Sequence, residues 1–137
     1  MMDKEFKDIK IGQTASFERI ITEEDLIKFS ELSGDYNPLH LNEKYASQTI
    51  FKGRVVYGLL LGALVSRLVG MELPGKKALL VKEVLEFKKP ARVGEKLLVK
   101  GLVVHKSTAT RLIELAIEIK KNKDLLASGS VQVKVLE

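Results

Sequence analysis

Apolar and polar residues alternate most cleanly late in the chain, where Ile113, Leu115, Ile117 and Ile119 interleave with Glu114, Ala116, Glu118 and Lys120. A period of two sends successive side chains to opposite faces, so residues 108–120 are expected to form a half-exposed strand. The same period runs through residues 78–87, through 96–106 with apolar Leu98, Val99, Leu102, Val103 and Val104, and through Val131, Val133 and Val135. Lys88-Lys89-Pro90 and Val93-Gly94 mark the first break, and Lys121-Asn122-Lys123-Asp124 a hairpin turn before the last strand. Residues 13–20 read as an earlier strand of β-compatible residues. Long strands joined by short turns pair antiparallel.

Two stretches follow the helical period instead. Thr22 with Asp25 resembles a capping box, acids at 23–25 suit the positive end of a helix dipole, and Leu26, Phe29 and Leu32 fall on one stripe. Gly34 is a natural stop. Residues 58–70 read as apolar on every face, which predicts a central buried helix about 18 Å long. Gly62 beside Ala63 suggests close approach by another backbone. The expected fold class is α+β, with this helix in the concave face of an antiparallel sheet.

Composition narrows the function. A chain of 137 residues fits one domain, taken as 1–137, with a sizeable core. Neither a membrane-spanning run nor a signal-peptide pattern is present, so a cytoplasmic location is expected. With no cysteine, disulfides, thiolate nucleophiles and Cys-ligated zinc are excluded, and two histidines do not make a multi-histidine metal site. The net charge is +5, but the lysines are scattered and there is no tryptophan, so no nucleic-acid partner is expected. An acidic carrier protein or a phosphate-bearing small ligand suits the same charge. Residues 70–77 approach a P-loop, but Lys77 stands where Ser or Thr would hold magnesium, and the segment follows a helix; it reads as a turn.

Candidate chemistry concentrates in Ser33-Gly34-Asp35-Tyr36-Asn37-Pro38-Leu39-His40. A carboxylate and an imidazole in a loop stiffened by Pro38 are the parts of a general acid/base pair. The same residues make good turn chemistry, and the stretch alone does not decide between the two.

Taken with Gly53-Arg54-Val55-Val56-Tyr57-Gly58-Leu59-Leu60, this loop resembles the MaoC-like (R)-specific enoyl-CoA hydratases. The two motifs, in this order and spacing, make the signature specific, and the resemblance extends over nearly the whole chain. It implies a hot-dog fold, a long helix wrapped by an antiparallel sheet, in a homodimer or a dimer of dimers. It implies an acyl-CoA substrate, no metal and no cofactor. Asp35 and His40 match the catalytic pair that activates water for addition to a trans-2-enoyl thioester. Gly58 matches the position whose backbone N–H polarises the thioester carbonyl, a role that suits a helix start. Ser66 matches a polar residue of the buried helix near the catalytic aspartate, although a lone Ser there also bonds back to a carbonyl one turn earlier. Asn37 reads as loop structure that can also orient the water. One position departs: the residue before the glycine is often His and here is Tyr57, which bears on how the thioester is positioned.

Three rival readings stand beside this one: a dehydratase acting on acyl carrier protein, a hot-dog thioesterase, and a non-catalytic acyl-CoA-binding or heteromeric subunit. Lys44, Lys52, Arg54, Lys88 and Lys89 could meet phosphates, but each is more at home as a plain surface residue, and none is assigned that role.

Overall fold

All the strands expected from the alternating pattern form, and they join into a single sheet. A computed structural model describes residues 2–137. Its strands are β1 (Thr14–Ile20), β2 (Ala78–Phe87), β3 (Lys96–Ser107), β4 (Leu112–Lys121) and β5 (Asp124–Val135). They lie in the order β1-β3-β4-β5-β2, and every neighbouring pair is antiparallel. In β4 the alternation does what it predicts: the four isoleucine and leucine positions are buried and the intervening ones half-exposed.

Two strand details differ from expectation. β4 begins at Leu112 because residues 108–111 form a turn, with Arg111 at φ 58°. In β3 the inward set is Leu97, Val99 and Val103, while Leu98 and Val104 are exposed. Gly101 takes the inward place between them: a Cβ there would meet Leu68 at 2.7 Å, so the absent side chain makes room for the helical segment and hides the strand's period.

The helices come before and within this sheet: α1 (Glu23–Ser33), α2 (Pro38–Leu41), α3 (Glu43–Ser47) and α4 (Gly58–Arg67), the last running into a π-helical turn, Leu68–Glu72. α1 starts on the expected capping box: Thr22 Oγ1 accepts from the Asp25 N–H at 3.2 Å, and Asp25 Oδ2 accepts from the Thr22 N–H at 2.9 Å. It ends at Gly34, whose φ of 76° is left-handed backbone that glycine adopts without steric cost.

The segment from α4 into the π turn packs Leu61, Leu64, Val65, Leu68 and Val69 into the core with Val99, Leu115 and Val131 of the sheet. Burial on every face, expected from composition, is not observed. Leu59 is 72% exposed, and Ala63, Ser66 and Arg67 are exposed too. The sheet of a single chain covers one side of this helix, so its uniform apolarity overstates its burial. No helix among the described residues is long and apolar enough to cross a membrane.

Candidate active site

The loop from α1 to α2 is held by its own short polar side chains. Ser33 Oγ accepts from the Asp35 N–H at 3.1 Å, Asp35 Oδ1 from the Asn37 N–H at 3.0 Å, and Asn37 Oδ1 from the Leu39 N–H at 2.9 Å. Each bond folds the chain onto the residue two places on, the alternative to helix that Ser, Asp and Asn offer. Asn37 thereby caps α2, and Pro38 occupies a first-turn position where a missing N–H costs nothing. Asn37 is a loop-building residue in this arrangement.

α2 delivers His40 at its end. His40 Nδ1 lies 2.8 Å from the carbonyl oxygen of Val55. A carbonyl only accepts, so Nδ1 carries the hydrogen, and Nε2 of the neutral ring keeps its lone pair for another group. The Val55 N–H in turn donates to the Leu39 carbonyl at 3.3 Å, which ties the segment before α4 to α2.

Tyr57 completes the local frame. It is 2% exposed, its ring lies 4.0 Å from the His40 ring at 28°, and its other neighbour is Phe29 at 4.7 Å. Its hydroxyl donates to the carbonyl oxygen of Asp35 at 2.6 Å. Burial, with the Asp35 charge adding to it, pushes the phenol above its usual value of 10.0, so it stays a donor at neutral pH. Gly58 follows as the first residue of α4. The N–H groups of Gly58 and Leu59 have no acceptor among the described residues, as the first turn of a helix leaves them.

His40 and Gly58 line one cleft of about 320 Å³, together with Val56, Leu61, Phe87 and Lys88. Asp35 is exposed and is not part of that lining; it is linked to His40 through the tyrosine, with no hydrogen bond between the two among the described residues. Ser66 is not brought to this site within the chain. It lies two turns beyond Gly58, about 12 Å along the axis, on the exposed side of α4, and among the described residues its hydroxyl bonds neither to Asp35 nor to a carbonyl one turn earlier.

The basic candidates are largely engaged elsewhere. Arg54 meets Glu23 at 2.5 Å and Glu43 at 3.1 Å, and the bond to Arg54 holds the Glu23 carboxyl below its usual value. Lys88 pairs with Glu86 at 2.7 Å and Lys89 with Asp124 at 3.2 Å. One residue escaped sequence reasoning altogether. Arg92 Nη1 donates to the carbonyls of Gly53 and Arg54, and its Nη2 donates to that of Phe51 at 2.6 Å, fixing the segment that leads to Val55. Its acceptors are backbone atoms, which carry no residue identity, so no pattern of side chains announces it.

The arrangement offers a base or bases beside a helix start in a largely apolar cleft, which suits proton transfer coupled to charge on a carbonyl oxygen. The chain as a whole is similar to known proteins. Residues 6–123 match the family model described as MaoC like domain. An (R)-specific enoyl-CoA hydratase of Rhodospirillum rubrum is 43% identical over 109 residues, covering 77% of this chain and 76% of that protein. A 3-hydroxybutyryl-CoA dehydratase of Methylorubrum extorquens is 33% identical over 130 residues, 95% of this chain and 83% of the relative. Among solved structures, the (R)-hydratase from A. caviae superposes with a TM-score of 0.91 at 31% identity, covering 94% of this chain and 98% of that one. Its fold is therefore the hot-dog, and the chain belongs to the MaoC-like domain family.

Proposed function

We propose that the protein is an (R)-specific enoyl-CoA hydratase, adding water reversibly across the C2–C3 double bond of a trans-2-enoyl thioester. The observation that carries this reading is the meeting of His40, with Nε2 free, and the first residue of α4 in one cleft, with Asp35 tied alongside by Tyr57. The identity with relatives named for this hydration, and for the reverse dehydration, supports it.

In the mechanism, a water donates one hydrogen to Asp35 and the other to His40 Nε2, which leaves an oxygen lone pair for C3. Asp35 takes the proton as the C3–O bond forms. The displaced electron pair moves through C2 to the thioester oxygen, where the Gly58 N–H and the positive end of α4 receive it. The proton held by Asp35 is then delivered to C2, which restores the carboxylate. One water is added and nothing is oxidised or reduced, so the chemistry calls for no redox cofactor. The acyl chain lies against Val56, Leu61 and Phe87.

The test follows the enoyl-thioester absorbance of crotonyl-CoA, with chiral analysis of the product. Wild type consumes the band and yields (R)-3-hydroxybutyryl-CoA; Asp35→Asn and His40→Gln each lose roughly 10²–10⁴ in turnover. Near-normal activity in both variants refutes the assignment. A thioester of acyl carrier protein is the second reading, favoured by the net charge of +5 and by Lys88 and Lys89 in the cleft lining. Relative turnover on the two carriers separates them. Thioester release with the enoyl band intact would point to a thioesterase instead.

A further inference from the structure

Tyr57 touches both members of the dyad and immediately precedes the residue assigned to the carbonyl oxygen. We propose that it is the positioning residue of this site, holding Asp35 and His40 in register with the start of α4; the proposal rests on the hydratase reading for its kinetic consequences.

The geometry is economical in degrees of freedom. His40 has one nitrogen held by the Val55 carbonyl, a single bond at one edge of the ring. The Tyr57 face, stacked 4.0 Å away at 28°, supports the plane of the ring. Asp35 has one carboxylate oxygen occupied by the Asn37 N–H, and its own carbonyl takes the Tyr57 hydroxyl. The Tyr57 carbonyl accepts from the Leu60 and Leu61 N–H groups, so the same residue is built into the first turn of α4. A tyrosine that served only the core would need one acceptor for its hydroxyl and apolar neighbours for its ring. Here the acceptor belongs to one candidate catalytic residue and the ring neighbour is the other. Misplacement of about 1 Å costs on the order of 10²-fold in rate, so a clamp of this kind acts on turnover.

Its two contacts separate by substitution. Tyr57→Phe keeps the stack and deletes the bond to Asp35; kcat falls about tenfold while KM stays within about twofold. Tyr57→Leu deletes both, and kcat falls about 10²-fold. Phe29→Leu is the control, because it alters the other aromatic contact of the same ring while keeping the Tyr57 hydroxyl and the face it offers His40, and it keeps kcat near wild type. If Tyr57→Phe retains full turnover, or if the Phe29 and Tyr57 variants lose turnover in step with their melting temperatures, the residue is core and the proposal fails.

A second readout needs neither substrate nor a variant at Tyr57. The chain has two histidines, so proton spectra of the wild type and of His40→Gln assign the His40 ring signals. The tyrosine ring current shifts them upfield of the His105 signals. Unshifted His40 signals overturn the clamp even in an active enzyme. Shifted signals in a protein that hydrates no enoyl thioester uphold the geometry and refute the hydratase reading.

Discussion

Gly58 and Gly62 lie one turn apart on α4 and face the same strand, β2, yet opposite kinds of group fill the space left by their missing Cβ atoms. At Gly58 it is the ring of Phe87, with three ring carbons 2.9–3.2 Å from where a Cβ would stand. At Gly62 it is the carboxylate of Glu83, with Oε2 at 2.8 Å. The first region belongs to the cleft, and around it the polar side chains of the loop, the imidazole and the phenol each have an acceptor or donor. The second is unfinished: Glu83 Oε1 is buried with no hydrogen-bond partner among the described residues. The cleft end of the helix is thus held by directed bonds, while its middle tolerates an unpaired carboxylate oxygen. A site that must keep atoms in place needs the former; a surface that only has to pack can carry the latter at some cost in stability.

Adding one methyl group at each glycine sharpens the contrast. In Gly58→Ala the new Cβ meets the ring of Phe87, which must give way, and that ring is a wall of the cleft. The backbone N–H remains, and the loss comes from a displaced wall: kcat/KM falls about 10–100-fold, with the melting temperature within about 4 °C of wild type. Undiminished kcat/KM would mean that Phe87 yields freely and does not shape the site. In Gly62→Ala the obstacle is the tip of a flexible side chain, which can swing toward water. Helix propensity then favours alanine by roughly 1 kcal/mol, so the variant is more stable by about 0.5–1 kcal/mol and its activity stays within about twofold. Destabilisation in urea titration would show that the carboxylate is wedged against the helix.

How far the sequence reveals these regions follows from what kind of interaction makes them. The sheet was legible because burial of Ile113, Leu115, Ile117 and Ile119 is written as a period of two. The α1 boundaries were legible because Thr22, Asp25 and Gly34 act on the chain within a few residues of themselves. β3 was blurred by Gly101, whose meaning depends on Leu68 in another element. Asp35, His40 and Gly58 stand out in the sequence through their joint motif, and the polypeptide carries His40 and Gly58, though not Asp35, into one cleft lining. The roles of Tyr57 and Arg92 stayed hidden for a shared reason. Tyr57 was seen as a departure from a pattern, whereas its stack on His40 and its bond to the Asp35 carbonyl are contacts across the fold. Arg92 works wholly through carbonyls. Exposure of Leu59 and Ser66 was missed because composition does not say which side of an apolar helix a single sheet covers.

The smallest effect falls on Glu83 itself and carries a definite sign. Burial pushes its carboxyl above the usual 4.5, so the folded chain holds this proton to higher pH than the unfolded chain does. Below that unfolded value both states are protonated and the residue costs nothing. As pH climbs from about 4.5 through the raised folded value, the unfolded state ionises first and stability is lost; above the folded value the loss is complete. Glu83→Gln removes the ionisation and should stabilise the protein at neutral pH by roughly 0.5–1 kcal/mol, a figure kept small because the side chain is partly exposed and the amide still lacks a full set of bonds. The difference in melting temperature between variant and wild type is therefore positive near neutrality and shrinks toward zero as pH falls to about 4.5. A variant less stable than wild type at neutral pH would show that the carboxylate has a cation or donor in solution. The middle of α4 would then be as fully satisfied as its cleft end, and the contrast between the two glycines would reduce to shape alone.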